Sequence, residues 1–157
     1  MTVSTAYVNQ ILPKDAARVA IPGHIIQVIQ SSTSTQVSST ATSDTFTGLT
    51  ANITPTYSTS KILALVSQHV YISGDNGIGL QLYRNSTPVY NLGNYAVFAQ
   101  TAGIAMAHVA LNYLDSPNTT STITYSTYFR SRDSGETVGV QRDSQNSSTI
   151  TLLEIAQ

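Results

Sequence analysis

From residue 24 onward apolar and polar side chains alternate with a period of two, the pattern of β-strands rather than of helices. HIIQVIQ (24–30) reads as a strand, and the Ser/Thr run SSTSTQVSSTATS (31–43) as a loop or an exposed edge strand. DTFTGLT (44–50) alternates cleanly, with Phe46 and Gly48 on one side and Thr47 and Leu49 on the other. KILALVSQHVYI (61–72) is the longest strand. One of its faces carries Ile62, Ala64, Val66, Val70 and Ile72, with Gln68 the only polar residue among them; the other carries Leu63, Leu65, Ser67, His69 and Tyr71. Two largely apolar faces predict a strand in the middle of a sheet whose second surface is also covered.

Gly74-Asp75-Asn76-Gly77 is a tight-turn signal leading into IGLQLYRN (78–85), and TPVYN (87–91) follows after a short turn. The stretch NLGNYAVFAQTAG has no decisive pattern. IAMAHVALNYLD (104–115) is Ala-rich enough to admit a helix, but turn chemistry at Asp115-Ser116-Pro117-Asn118 and strand neighbours favour a strand. TITYSTYFRSR (122–132) places Ile123, Tyr125 and Phe129 on one face, VGVQR (138–142) is short, and STITLLEIA (148–156) ends the chain. About eight to ten strands with regularly spaced turns predict an all-β fold, an antiparallel, jelly-roll-like β-sandwich. A last strand this apolar belongs inside the sandwich or at a subunit contact.

Residues 1–23 differ. Their apolar positions are sparse, Lys14, Asp15 and Arg18 sit among them, and Pro13 and Pro22 punctuate both ends, with a short helix over 14–19 conceivable because Pro13 suits a first helical position. The expected organisation is an N-terminal arm over 1–23 and one sandwich domain over 24–157. Tyr7, Val8, Ile11, Leu12, Arg18, Val19 and Ile21 are the arm's candidate contact residues.

Composition narrows the functional classes. The 157 residues suffice for one core without covalent staples, and the absence of cysteine excludes disulfides and thiolate metal sites. Charged residues make up 10% and the net charge is -1, so there is no basic face for a nucleic-acid backbone. Ser and Thr fill about a quarter of the positions, giving a hydroxyl-rich surface of the kind common on outward-facing proteins. The N-terminus lacks the basic and apolar regions of a signal peptide, and no apolar run approaches the ~18 residues of a membrane span. Nucleic acid and membrane are therefore not expected partners.

The run TFTGLTANITPTYSTSKILALVSQHVYI (45–72) resembles a pattern of many bacteriophage virion proteins: Gly48-Leu49, then Ile53-Thr54-Pro55, then Ser60-Lys61-Ile62-Leu63 opening a long strand. Pro22-Gly23-His24-Ile25-Ile26-Gln27, Tyr113-Leu114-Asp115-Ser116-Pro117 and Leu152-Leu153-Glu154-Ile155 are similar to the same group. These motifs are structural, not catalytic, and extend from Pro22 to the end of the chain. Such modules are similar to the trimeric jelly rolls of the tumour-necrosis-factor and complement type, found in phages as head decoration (cement) proteins and as tail-fibre heads. The resemblance implies a homotrimer.

Candidate chemistry is sparse. His24, His69 and His108 fall in predicted strands without metal-ligand spacing; a hydrogen-bonded sheet histidine is the simpler reading, a threefold-axis metal site the sharper one. Asp75, Asp115, Asp133, Glu136 and Asp143 lie near predicted turns, and Asp75-Asn76-Gly77 is too short for a calcium loop. No nucleophile elbow or phosphate loop occurs and no carboxylate pair is marked, so the expectation is a non-enzymatic protein without cofactors. Matches to the glycosylation acceptor pattern, such as Asn52-Ile53-Thr54, arise by chance in a chain this rich in Ser and Thr. The nine tyrosines suit subunit and core packing, or alternatively a sugar-stacking platform. Tyr71, Tyr113, Leu152 and Glu154 are the candidate subunit contacts. Glu154, by alternation on the face of Ile150 and Leu152, is either solvated or paired with Arg84 or Arg130.

The expected function is that of a capsid decoration protein: a homotrimeric knob on the virion surface, made in the host cytoplasm, binding and stabilising the major capsid protein shell. The chain starts at Met1 with no shaft repeat before the sandwich, which favours this over the alternative, a tail-fibre or tail-tip head recognising host surface glycan. A small hydrolase is a distant third.

Overall fold

The computed structural model describes residues 21–100 and 103–157; Tyr7, Val8, Ile11, Leu12, Arg18 and Val19 lie outside them. Among the described residues there are eleven strands and no helix: β1 (Ile25–Thr33), β2 (Val37–Ser39), β3 (Thr45–Ile53), β4 (Lys61–Ser73), β5 (Asn76–Arg84), β6 (Thr87–Asn91), β7 (Val97–Ala99), β8 (Ile104–Asp115), β9 (Ile123–Ser131), β10 (Val138–Val140) and β11 (Ser148–Ile155). They form the expected antiparallel β-sandwich. Of the three-residue strands, β2 lies in the 31–43 run read as a loop or an exposed edge strand, and β7 in the stretch that showed no decisive pattern.

One sheet runs β1-β11-β4-β10-β2, with β8 on the other side of β4; the second runs β3-β9-β5-β6, with β7 also on β5. β4 is the spine of the first sheet. β8 pairs along it from Ile62↔Asp115 to Ser73↔Ile104, while β11 and β10 share its opposite edge in tandem. The Ala-rich 104–115 segment is thus a strand throughout: its alternating Ala107, Val109, Leu111 and Tyr113 pack on the core side, which a helical period would scatter. The expected tight turn at Gly74-Asp75 links β4 to β5, which lie in different sheets, so it is a sheet-to-sheet corner.

The core lies between the sheets. Ile62, Ala64, Val66, Val70 and Ile72 of β4 meet Ile78, Leu80 and Leu82 of β5 and Ile123, Tyr125 and Phe129 of β9. Gln68 breaks the apolar row because it belongs to a buried network spanning both sheets. Thr127 Oγ1 donates to Gln68 Oε1 (2.8 Å), and Gln68 Nε2 donates to Ser148 Oγ (2.9 Å). The Gln141 amide accepts from Ser148 Oγ (2.8 Å) and Gln68 Nε2 (2.6 Å) and donates to the carbonyls of Thr35 and Thr47. Satisfied on every side, such a network fixes the register of one sheet over the other. Gly48, at φ +84°, sits in the β-bulge where the β3–β9 register shifts between Phe46 and Thr50, a conformation that favours glycine.

β11 lies between β1 and β4, so the apolar final strand is internal to its sheet. Its ladder with β1 extends beyond both strands: Gly23 N donates to Ala156 O and Ala156 N to His24 O, each at 2.9 Å. Residues 23 and 24 are therefore tied to the sandwich.

Candidate interaction surfaces

Each sheet turns one face to the core and one outward. The outer face of the β1-β11-β4-β8 half carries an apolar row beside uncharged polar positions such as Gln30, Thr151, Asn112, Thr149 and Ser67. Register places Val28, Leu153, Leu63 and Leu114 in one row across the four strands, with Leu65, Met106 and Ile104 further along. Val28, Met106 and Leu114 are 56%, 57% and 47% exposed. The second surface of β4 is therefore only partly covered within the chain: Tyr71 and His69 are buried, whereas Leu65 is open.

His69 and His108 oppose one another on this face, rings edge-to-face with centroids 5.2 Å apart. Burial, and next the neighbouring His108, lower the His69 pKa from its ordinary value, partly offset by Asp143. The buried Nδ1 of His69 has no hydrogen-bond partner among the described residues. His24 lies just before β1 and is exposed.

The outer face of the second sheet is aromatic and polar. Phe46, Tyr128 and Tyr83 form a row across β3, β9 and β5, with centroids 5.5 and 4.3 Å apart. Asp44, just before β3, accepts from Gln81 Nε2 (2.5 Å), Tyr83 Oη (2.6 Å) and Arg130 NH1 (3.3 Å), and Arg130 Nε donates to Asn94 Oδ1 (2.7 Å). The hydrogen bond to Asp44, more than burial, pushes the Tyr83 phenol up to about 12. Asp44→Asn should return that phenol towards its ordinary value of 10.0, read as an earlier-titrating tyrosine in an ultraviolet absorbance titration. Farther along the face the Arg132 guanidinium lies over the Tyr95 and Phe98 rings (5.6 and 5.0 Å). Rings beside planar amides, a carboxylate and a guanidinium supply the contacts that hold a sugar ring. Alternation puts Tyr128 and Arg130 on one face once Phe129 points inward, but Asp44 was not among the acids that sequence singled out. It arrives from a loop 86 residues before Arg130.

Of the four candidate subunit contacts, Leu152 and Glu154 are enclosed within their own chain. Leu152 is a fully buried core residue. The Tyr71 ring lies across Gly139, where a Cβ would fall 2.6 Å from it, with the Arg142 guanidinium above; its hydroxyl accepts from Gln36 Nε2 (2.8 Å). Tyr113 is half-buried and stacks on Tyr90 at 5.4 Å. Glu154 is fully buried and has no arginine partner: Arg84 pairs with Asp115 and Arg130 with Asp44. Glu154 instead accepts from Gln27 Nε2 (2.6 Å), Ser60 Oγ (2.7 Å), Thr56 N (2.6 Å), Thr56 Oγ1 (3.1 Å) and Tyr57 N (3.3 Å). It pins the 54–60 loop to the sheet. Both Leu152 and Glu154 point into their own chain and have no surface to offer a neighbour.

Asp115 is likewise no turn residue. It is almost fully buried and accepts from Arg84 NH1 through both oxygens (2.9 and 2.8 Å), from Tyr125 Oη (2.6 Å) and from Ser116 N (2.8 Å). Among the described residues no three His, Cys, Asp or Glu side chains are grouped to hold a metal ion.

No protein-family model and no curated protein matches this chain. Solved structures do. The VP2 subviral particle of infectious bursal disease virus matches with a TM-score of 0.54 at 12% identity, over 94% of this chain and 37% of that one. The Gx strain of the same virus matches with a TM-score of 0.52 at 17% identity, over 96% and 37%. At these identities the likeness establishes the fold, a β-sandwich shared with viral capsid chains, and this chain spans little more than a third of their length.

Proposed function

We propose that the chain is a virion structural protein, a bacteriophage capsid decoration (cement) protein whose homotrimeric knob binds the major capsid protein and stabilises the shell. The observation that carries this reading is the likeness of nearly the whole chain to part of a capsid protein that forms particles. The low charge of the chain and the exposed apolar residues on the outer face of the first sheet, which suit a subunit packed among others, support it. Residues 1–20 serve as the shell-binding arm, together with exposed Ile21. Three weak arms on one trimer bind with avidity.

Deleting residues 1–20 should leave a folded trimer that no longer co-sediments with shells of the major capsid protein. Undiminished co-sedimentation would move the contact to the sandwich. The second reading, a fibre head recognising glycan, draws on the Phe46–Tyr128–Tyr83 row and its Asp44–Arg130 network. Saturable binding to host surface polysaccharide, lost in Tyr128→Ala, would favour it over the first.

A further inference from the structure

We infer that copies of this chain meet through the outer face of the β1-β11-β4-β8 sheet. The inference rests on the homo-oligomer of the proposed function and adds the surface that makes it.

Charge is the first argument. Along β8 from Ile104 to Leu114 there is no Asp, Glu, Lys or Arg, and the outward positions of β4 and β11 add only Lys61, at the end of the face, paired with Ile155. Arg142 over Tyr71, with Asp143 beside it in sequence, marks the opposite rim. A face that carries Val28, Leu153, Leu63, Leu65, Leu114 and Met106 among the uncharged Gln30, Ser67, Thr149, Thr151 and Asn112 offers nothing for a charged partner to read. It matches another surface of its own kind, since the centres of permanent homo-oligomer contacts are depleted of charge.

Size is the second. β4 and β8 span about 40 Å at ~3.3 Å per residue, β1 and β11 flank only part of that length over about 27 Å, and adjacent strands lie ~4.8 Å apart. The resulting face of roughly 600 Å² approaches the ~800 Å² each partner contributes to a standard stable interface. The third argument is the edge itself. β8 is 12 residues long, pairs with β4 without a bulge, and carries no proline or lysine. Exposed edges ordinarily carry such devices against unwanted pairing. Their absence fits an edge shielded by a neighbouring copy.

The test introduces charge on this face and, as a control, on the other. Met106→Glu and Leu114→Glu, both at exposed positions, should leave the far-ultraviolet circular dichroism unchanged but weaken self-association at least 100-fold by multi-angle light scattering. Phe46→Glu, at a similarly exposed position on the second sheet, should not. Because the chain has no cysteine, Ala110→Cys on the same face provides a second readout that needs no destabilising change. The introduced thiol should resist a maleimide in the oligomer and react in the Leu114→Glu background. Normal oligomers in both glutamate variants, with a thiol at position 110 that reacts freely, would overturn the face and leave the homo-oligomer reading standing, whereas a wild-type single chain at micromolar concentration would overturn both. Protection of that thiol in a single chain that is lost on removing residues 1–20, or protection only when shell protein is added, would overturn the inference in favour of those occupants.

Discussion

Replacing Glu154 with alanine should destabilise each chain by about 3–5 kcal/mol, and with glutamine by about half as much, measured by urea unfolding. The carboxylate is fully buried and gathers five hydrogen bonds from Gln27, Thr56, Tyr57 and Ser60. Alanine leaves those donors enclosed without an acceptor; glutamine keeps one oxygen and turns the other into a donor facing donors. Glu136→Gln, at an exposed turn position, should change nothing measurable. The effect should be intrinsic to the chain, because every partner of Glu154 is internal.

The same carboxylate sets the expected response to acid. Burial alone would raise the Glu154 pKa, but the bonds from Gln27, Ser60 and Thr56 outweigh it and hold the pKa below the ordinary 4.5. Its stabilisation is therefore complete above pH 4.5 and is lost as pH falls through the depressed folded value. His69, also depressed, resists protonation in the folded chain and so destabilises it as pH drops below 6.5. Thermal midpoints should decline in two stages on acidification. Glu154→Gln should abolish the lower stage, and His69→Gln the upper.

Asp115→Ala is the second large effect, again about 3–5 kcal/mol. It strands the Tyr125 hydroxyl inside the core and leaves Arg84 without its carboxylate. Enclosure and the bond to Asp115 raise the Tyr125 phenol far above its ordinary value, so that hydroxyl stays a donor at any working pH. In the Tyr125→Phe background the cost of Asp115→Ala should shrink by at least ~1 kcal/mol, the coupling expected of residues in direct contact. Asp133→Ala, which breaks an exposed pair with Arg132, should leave urea unfolding unchanged.

The contrast between Glu154 and Asp115 shows what sequence carried. Period-two alternation placed Tyr125 and Phe129 on one face and Glu154 on the face of Ile150 and Leu152, each of which is the buried one, while turn chemistry and strand neighbours assigned β8 as a strand despite its alanines. All of this is local information, readable within a few residues. The partners of Glu154 are not local: Gln27 lies 127 residues away and Ser60 lies 94 away, and arginines chosen by strand position were already taken by Asp44 and Asp115. Turn chemistry at Asp115-Ser116-Pro117 was equally visible, but the burial of Asp115 depends on Arg84 and Tyr125 converging from two other strands. Two-sided apolarity in β4 signalled a second surface needing cover. Within one chain only half of that surface has it.

The most direct measurement for a capsid decoration protein is its number of copies in purified virions, by quantitative mass spectrometry against the major capsid protein. Hundreds of copies per particle, in a fixed stoichiometry to the shell and as a multiple of three per binding site, are predicted. A few dozen copies or fewer, or none, would contradict it.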